Sequence, residues 1–288
     1  MKSNKSIRRT ALMVLAGAIL LSGTTACDVL SSATGDGQPE NLTPVTSESV
    51  AKALKTPVTA ETKEQAQVAL DKVDSIRLIE AEGMNTGYDR STYPHWERVS
   101  TLIQKYPEAK KDWEGQLKGL PGGCTAREVM LIRQSVTKAE YDKYCKVTSG
   151  SWVNTYGLWD FSKATVTGLG TVITDKSGVD GDHVIPLAGS YRLGSGKWDL
   201  EKRTRFANDP MNIIIDDGPA NRQKGDRLVD QWVPYNPQAA CDYMVRYVNI
   251  SVKYDLQGTQ SIKDSLKKDL DRCVTEVSPQ FMDLGEGE

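Results

Sequence analysis

The amino-acid sequence predicts a single domain of the α+β class. Three observations lead to this prediction: a strand-like run around His183 stops at Pro186, three consecutive isoleucines follow Asn212, and apolar residues recur at helical spacing on both sides of these runs. Once the two ends of the chain are set aside, about two hundred residues remain, which is enough to bury a hydrophobic core.

The first 26 residues resemble an export signal. Several basic residues precede an apolar run from Ala11 to Leu21, which is too short to span a bilayer. Thr24-Thr-Ala-Cys27 then resembles a lipobox, so we expect a lipoprotein-type signal peptide over 1–26 and a lipid on Cys27. The alternative is ordinary cleavage after Ala26, which would leave Cys27 as a free thiol.

The rest of the chain divides into three parts. Residues 27–60 are predicted to be the lipidated N-terminus and a flexible linker, because Asp28 to about Ser47 is rich in Ser, Thr, Gly and Pro. Residues 61–277 form the predicted domain, and 278–288 form an acidic tail. We therefore expect the protein on the extracellular face of the cell membrane, or secreted.

Six helices are predicted in the domain. Asp199 is a suitable N-cap residue for a helix that ends at Ala207, and Pro219 suits the first turn of another. The others follow from the spacing of apolar residues. The predicted helices begin near Thr62 and cover about Trp96–Leu117, Asp199–Ala207, Pro219 to about Trp232, Cys241–Leu256 and the segment with Ile262, Leu266 and Leu270.

Two predicted strands precede the helix that starts at Pro219. One contains His183, and Pro186 marks it as an edge strand or as a strand end, because proline has no amide hydrogen for a ladder. The other is Met211–Ile215, where β-branched residues favour a pleated surface, and 216–219 forms the turn into the helix. Asn221 then lies in the first turn of the helix, facing the strand that carries His183.

Oxygen ligands and an imidazole are grouped in this strand, strand and helix. Mg²⁺ prefers oxygen ligands and keeps several waters, so Asp182 and Asn221 are sufficient to hold one ion. His183 is the candidate general base, while His95, the only other histidine, is expected to be a packed or surface residue. Neighbouring residues on a regular strand point to opposite faces, so we expect a bend at Gly181 to bring Asp182 and His183 together.

Taken together, these residues resemble the HNH branch of the ββα-metal (His-Me finger) nucleases, and within it the GmrSD-type HNH endonuclease domain of secreted actinobacterial proteins. The similarity covers most of the chain from about Tyr88 to Cys273, and the spacing from Asn212 to Asn221 also resembles the HNH domain of RNA-guided CRISPR nucleases. The residues that carry the resemblance are Gly87-Tyr-Asp-Arg90 with Trp96, Cys124-Thr-Ala-Arg127, Cys145 with Gly150-Ser-Trp152, Asp180-Gly-Asp-His183, Phe206-Ala-Asn-Asp-Pro210, Asn212, Asn221-Arg-Gln-Lys-Gly-Asp226, Trp232-Val-Pro234 and Cys241.

The resemblance implies a ββα-metal core embedded in a mostly helical domain, with a role for each matching residue. His183 is the general base, and Asp182 and Asn221 hold one Mg²⁺ or Mn²⁺ ion. Asn212 fixes the strand or orients the histidine, and Asp180 either touches the metal through water or caps the turn. The last motif position is Asn221 instead of a histidine, which makes this an HNN variant.

One stretch departs from the family pattern. Residues 97–122 are inserted relative to shorter relatives, and we expect this insertion to be helical.

Basic residues surround the motif although the formal net charge of the chain is -2. Because phosphate neutralisation supplies most non-specific affinity for nucleic acid, we expect weak binding. Arg222 or Lys224 is expected to steady the scissile phosphate, and Arg203 and Arg205 to contact other substrate phosphates. The alternative for each is an ion pair on a solvated face, with carboxylates such as Glu201, Asp209 and Asp226.

Four cysteines remain beside Cys27, and they predict two disulfides. None of the pairs has the close spacing of a zinc knuckle, and an export signal implies an oxidising compartment. The residues alone leave three pairings open. The resemblance implies the local one, Cys124 with Cys145 and Cys241 with Cys273, each worth about 3 to 4 kcal/mol in the chain-entropy model.

These features predict a monomeric, Mg²⁺-dependent endonuclease that cuts DNA with little sequence preference, with RNA left open as a second substrate. The alternative is a non-catalytic envelope lipoprotein that uses the same scaffold to bind nucleic acid or a cell-wall polymer. Intact Asp182, His183 and Asn221 favour the enzyme.

Overall fold

Nine α-helices and eight short strands form the part of the chain that the computed structural model describes, residues 60–80 and 84–275. The segments predicted as signal peptide, lipidated N-terminus and acidic tail lie outside the described residues, as does the predicted linker up to residue 59. The helices are α1 (Ala60–Leu70), α2 (Val99–Lys105), α3 (Ala109–Asp112), α4 (Ala126–Arg133), α5 (Leu187–Arg192), α6 (Leu200–Ala207), α7 (Gly218–Lys224), α8 (Pro237–Lys253) and α9 (Gln260–Thr275).

The strands pair into four antiparallel two-stranded sheets. In chain order they are β1 (Glu140–Tyr141), β2 (Val147–Ser149), β3 (Trp152–Val153), β4 (Leu158–Asp160), β5 (Thr165–Thr167), β6 (Val172–Ile173), β7 (Val179–His183) and β8 (Ile213–Asp217). The pairs are β1 with β2, β3 with β6, β4 with β5 and β7 with β8. This mixture of separate helices and antiparallel strands confirms the α+β class.

The helix cap predicted at Asp199 is present. The side chain of Asp199 accepts a hydrogen bond from the Lys202 amide, and α6 ends at Ala207 as expected. Helix α8 begins and ends a few residues earlier than predicted, because Asn236 caps it and Pro237 occupies its first position.

The helix predicted within the insertion 97–122 is not continuous. Two short helices, α2 and α3, replace one long helix, and they are separated around Pro107. Proline removes an amide donor and disfavours helical backbone in the residue before it, so α2 ends at Lys105.

The strand and helix around the candidate site are also shifted from their predicted bounds. Strand β8 starts at Ile213, because Met211 and Asn212 belong to a 3₁₀ turn that Asp209 caps. Helix α7 ends at Lys224 instead of continuing to about Trp232, since Gly225 adopts a φ of 60°.

The hairpin of β7 and β8 lies between two hydrophobic clusters. Val179, Ile213 and Ile215 are buried in a cluster with α2 and α4, whereas Ile214 packs against the larger cluster that α8 and α9 line. Because side chains alternate along a strand, one face of the hairpin serves each cluster. The polar residues of β7 are therefore divided between two environments.

Both predicted disulfides are confirmed. Cys124 and Cys145 are bonded with a Cα–Cα distance of 4.9 Å, and Cys241 and Cys273 with one of 5.9 Å. The first ties the start of α4 to the turn before β2, and the second joins α8 to α9.

Among the described residues, none of the helices has both the length and the apolar character needed to span a membrane.

A buried carboxylate in β8 anchors the β3–β4 loop. Asp216 is fully buried and accepts hydrogen bonds from the amide and hydroxyl of Thr155 and from the amides of Tyr156 and Asp217. Burial raises the pKa of Asp216 to about 7, although these hydrogen bonds oppose the rise. The native state therefore binds a proton at Asp216 more readily than the unfolded chain does.

We predict that Asp216 makes stability fall as pH rises. Its folded pKa lies above its unfolded value, so its contribution is most favourable below about pH 4 and is lost by about pH 7, by up to roughly 4 kcal/mol. Urea unfolding across this range should show that the unfolding free energy of wild type, minus that of Asp216→Asn, falls as pH rises. A difference that is independent of pH would contradict the prediction.

Candidate active site

Asp182 and His183 lie on opposite faces of a regular strand. The register of β7 with β8 runs without a bulge from Val179 opposite Asp217 to His183 opposite Ile213. The bend expected at Gly181 is absent, so that expectation is wrong. Gly181 serves another purpose: a Cβ there would lie 2.8 Å from the indole of Trp96.

Asp182 forms a buried ion pair with Lys224. The Lys224 ammonium lies 2.7 and 2.9 Å from the two carboxylate oxygens, and the Tyr156 hydroxyl donates to the same carboxylate at 2.7 Å. Burial raises the pKa of Asp182 and lowers that of Lys224, and the attraction between the two opposes both shifts. The pair is therefore held by mutual contact in a site that excludes water.

Lys224 does not face a place where a scissile phosphate could bind. Its side chain is 0% exposed, and the ammonium also donates to the His183 carbonyl at 2.7 Å. An ammonium has three donors, and protein oxygens engage all of them. We expected Lys224 to contact a phosphate, but its role in the structure is to hold α7 in place, because α7 points this side chain into the core.

Asn221 contacts Asp180 instead of Asp182. Its side-chain amide lies 3.2 Å from a carboxylate oxygen of Asp180, and the Arg222 guanidinium lies 3.5 Å from the same oxygen. Asp180 retains 38% exposure of its side chain and Arg222 retains 68%. A carboxylate and an amide thus meet at the solvent-facing side of α7.

His183 is a buried imidazole with one nitrogen fixed. Its Nε2 lies 2.8 Å from the Ala207 carbonyl, which can only accept, so Nε2 carries the proton and Nδ1 keeps a lone pair in the neutral ring. Burial lowers the pKa of His183 to about 3, despite the hydrogen bond to Ala207. The ring is therefore neutral at pH 7, the protonation state in which Nδ1 can accept a proton.

Asn212 fastens the chain that leaves β7. Its side-chain oxygen accepts from the Ile185 amide at 2.9 Å, and its side-chain nitrogen donates to the Phe206 carbonyl at 3.3 Å. Its backbone carbonyl accepts from Val184 at 3.0 Å. Asn212 thereby joins the residues after His183 to the end of α6, where the Ala207 carbonyl holds the imidazole.

The two α6 arginines face different neighbours. Arg205 lies 3.8 Å from Asp112 and 3.9 Å from Glu201, which matches the ion-pair alternative for this residue instead of a phosphate contact. Arg203 lies over the ring of Tyr93, 5.7 Å from its centroid. Only Arg203 therefore approaches the segment beside His183.

No catalytic or binding role is predicted from the sequence for the segment beside His183. Trp96 stacks on His183 with a centroid distance of 5.2 Å and an angle of 17°, and His95 lies 6.3 Å from the same ring. Asn208 holds the segment by donating to the Pro94 carbonyl and accepting from the Glu97 amide, both at 2.8 Å. The one available signal was that Trp96 and Asn208 both fall within the motifs that carry the family resemblance.

The structure does not assemble a metal cluster from the usual side chains. Within 60–80 and 84–275, no group of three or more His, Cys, Asp and Glu residues could hold a metal ion. In the same residues, no hydrogen bond joins the His183 ring to Asp180, Asp182 or Asn221. The candidate base and the candidate ligands are separate groups on one hairpin and its following helix.

Comparison with known proteins gives two similarities. Residues 136–269 match the model of the family described as GmrSD restriction endonucleases, C-terminal domain. A protein of Arthroderma benhamiae, described as an uncharacterized secreted protein, is 30% identical over 198 residues, which cover 68% of this chain and 80% of that protein. No solved structure matches the chain significantly. The matched family region contains β7, β8 and α7, whereas Arg90, His95 and Trp96 precede it.

We predict that Lys224→Met lowers the unfolding free energy by about 3 to 5 kcal/mol, because it leaves the buried Asp182 carboxylate without its partner. Asp182→Asn in the same chain should restore more than half of the loss, since the amide is neutral and still accepts from Tyr156. Urea unfolding measures both variants. Lys138→Met, which removes a lysine that is 82% exposed, is the control and should change stability by no more than about 0.5 kcal/mol. Equal stability of Lys224→Met and wild type would show that the pair contributes nothing.

Proposed function

We propose that this chain, which belongs to the family of the GmrSD restriction endonuclease C-terminal domain, is a secreted, metal-dependent endonuclease of the HNH type. Its substrate would be DNA foremost, cut with little sequence preference. The observation that supports this most is His183, a neutral imidazole whose Nε2 is fixed on the Ala207 carbonyl and whose Nδ1 keeps its lone pair. In this proposal β7, β8 and α7 would form the strand, strand and helix of the ββα core.

The proposed role of His183 is to take a proton from the attacking water. The fixed Nε2 sets the tautomer, so only Nδ1 accepts a proton. Stacking on Trp96 and the hydrogen bond to Ala207 restrict rotation of the ring. Asn212 would contribute by fixing the backbone on which both His183 and Ala207 depend.

The family implies a divalent cation, and two residues here fit one. Asp180 and Asn221 are in contact, and they offer a partly exposed carboxylate and an amide whose oxygen faces Asp180 when the amide group is reversed. This is the donor chemistry that Mg²⁺ or Mn²⁺ prefers. When bound, one such ion would stabilise the negative charge that develops on the leaving 3′ oxygen.

We propose a role for Asp182 that differs from the metal ligand predicted from the sequence. Both of its oxygens are engaged by Lys224, and one of them also accepts from Tyr156. It becomes a direct ligand only if Lys224 releases one of these oxygens. We therefore propose Asp180 and Asn221 as the ligands and Asp182 as the residue that locks α7 onto β7.

The proposed surroundings of the substrate are basic only locally. Arg222 is exposed and pairs with Asp180, and it would steady a phosphate near the ion once the ion takes that carboxylate. The formal net charge of -2 predicts weak and salt-sensitive binding over the rest of the molecule.

Secretion is supported by the description of the Arthroderma benhamiae relative and by the two disulfides, which form in oxidising compartments. The lipid anchor on Cys27 is a further proposal that concerns a residue outside those described.

We predict that His183→Ala lowers cleavage of plasmid DNA by roughly 10² to 10⁴, because the general base acts in the transition state. Binding of an uncleaved oligonucleotide should change little. The assay compares plasmid and RNA substrates with Mg²⁺, with Mn²⁺ and with a chelator, and circular dichroism checks the fold. Full activity of a folded His183→Ala protein would remove His183 from the chemistry, and a wild type that cleaves neither substrate with either ion would refute the nuclease.

We also predict that the metal requirement separates the two aspartates. Asp180→Asn and Asn221→Ala should weaken Mn²⁺ binding, measured by calorimetry, by about tenfold or more while leaving the melting temperature nearly unchanged. Asp182→Asn should instead lower the melting temperature, because Lys224 then lacks its charged partner. Loss of Mn²⁺ binding in Asp182→Asn alone, with Asp180→Asn unaffected, would assign the ligand to Asp182.

A further inference from the structure

We infer that Arg90 binds a phosphate of the nucleic-acid substrate beside His183, and that His95 orients its guanidinium. This inference rests on the proposed function and adds to it a phosphate contact on the other face of the hairpin from Asp180 and Arg222. The residues lie before the region that the family model matches.

The segment that carries Arg90 shares its support with the candidate base. Asn208 binds the Pro94 carbonyl and the Glu97 amide, and it directly follows Ala207, whose carbonyl holds His183 Nε2. Movement of the segment relative to the base would break hydrogen bonds of the fully buried Asn208.

Trp96 brings the segment into direct contact with His183. It adopts a φ of 60°, which is unfavourable for a bulky residue, and its indole stacks on the imidazole. The close approach requires Gly181, because any Cβ there would lie 2.8 Å from the indole. Strained backbone is thus retained where it places residues 90–96 next to the base.

His95 has a fixed tautomer that suits an arginine partner. Its Nδ1 lies 2.9 Å from the Tyr93 carbonyl, so Nδ1 carries the proton. Its Nε2 then accepts from the Arg90 guanidinium at 3.2 Å. With its ring 6.3 Å from that of His183, His95 holds Arg90 on the side of the candidate base.

Arg90 is charged but has no acidic partner. Arg77, Arg192 and Arg222 pair with Asp255, Asp226 and Asp180, whereas no ion pair forms at Arg90 among the residues that the structure describes. Of the five guanidinium donors, His95 engages one, the Tyr88 hydroxyl also interacts with the guanidinium, and the side chain is exposed. A permanently charged, planar group with free donors is suited to bind a phosphate through two oxygens.

A second guanidinium strengthens the preference for an anion. Arg203 lies over the ring of Tyr93, the residue whose carbonyl fixes His95. No carboxylate within the described ranges forms an ion pair with Arg203. Arg203 through its contact with Tyr93 and Arg90 through His95 place two cations without ion pairs near one residue, which favours a polyanion over a neutral ligand.

The test measures binding of a fluorescein-labelled DNA duplex by anisotropy, with chelator present so that no cleavage occurs. Arg90→Ala should weaken binding by roughly 10- to 100-fold and lower the slope of log affinity against log salt by about one. Arg90→Lys keeps the charge but not the fork, so it should retain the slope and regain part of the affinity. Arg98→Ala removes an exposed arginine eight positions later and should behave as wild type.

His95 is tested as a positioning residue. His95→Ala should weaken binding by several-fold with the salt slope unchanged, and His95→Gln, whose amide oxygen accepts from Arg90, should restore it. Equal affinity and slope for Arg90→Ala and wild type would overturn the inference, and would leave the proposed nuclease intact if wild type cleaves plasmid. A wild type that binds duplex but never cleaves it would refute the nuclease, while the Arg90 slope would still decide the phosphate contact.

Discussion

The ion pair between Lys224 and Asp182 is the interaction on which the candidate site depends. Removing both charges from water is costly, and this cost is met only because Lys224 reaches both carboxylate oxygens and the His183 carbonyl. The contact fixes the end of α7 against β7. Asn221, one turn earlier on the same helix face, is consequently held against Asp180.

Strand alternation then separates the chemistry of β7 into two faces. Asp180 and Asp182 face α7, and His183 faces Trp96, because the ladder with β8 is regular. Each face packs on its own hydrophobic cluster, so neither can rotate without exposing apolar residues such as Ile213 or Ile214. The hairpin is held in register by this double burial, and its polar groups are positioned by it.

Patterns that act over a whole element were predictable. Capping at Asp199, the helix containing Leu266 and Leu270 and the general positions of β7 and β8 all follow from spacing or local chemistry. Strands β1 to β6 were missed because two or three residues show no periodicity. The end of α7 was missed because apolar residues continue after Gly225, and the positive φ of that glycine stops the helix.

The sequence by itself determined the residue types of the site, the two disulfides once the family resemblance was added, and the placement of Asn221 at the start of a helix. Only the tertiary structure decided which side chains meet: Lys224 with Asp182, Asn221 with Asp180, and Trp96 with His183. These contacts join residues up to 87 positions apart in the chain, as from Trp96 to His183. Such pairings depend on how separate elements pack and on which charge is desolvated, and neither is expressed in local spacing.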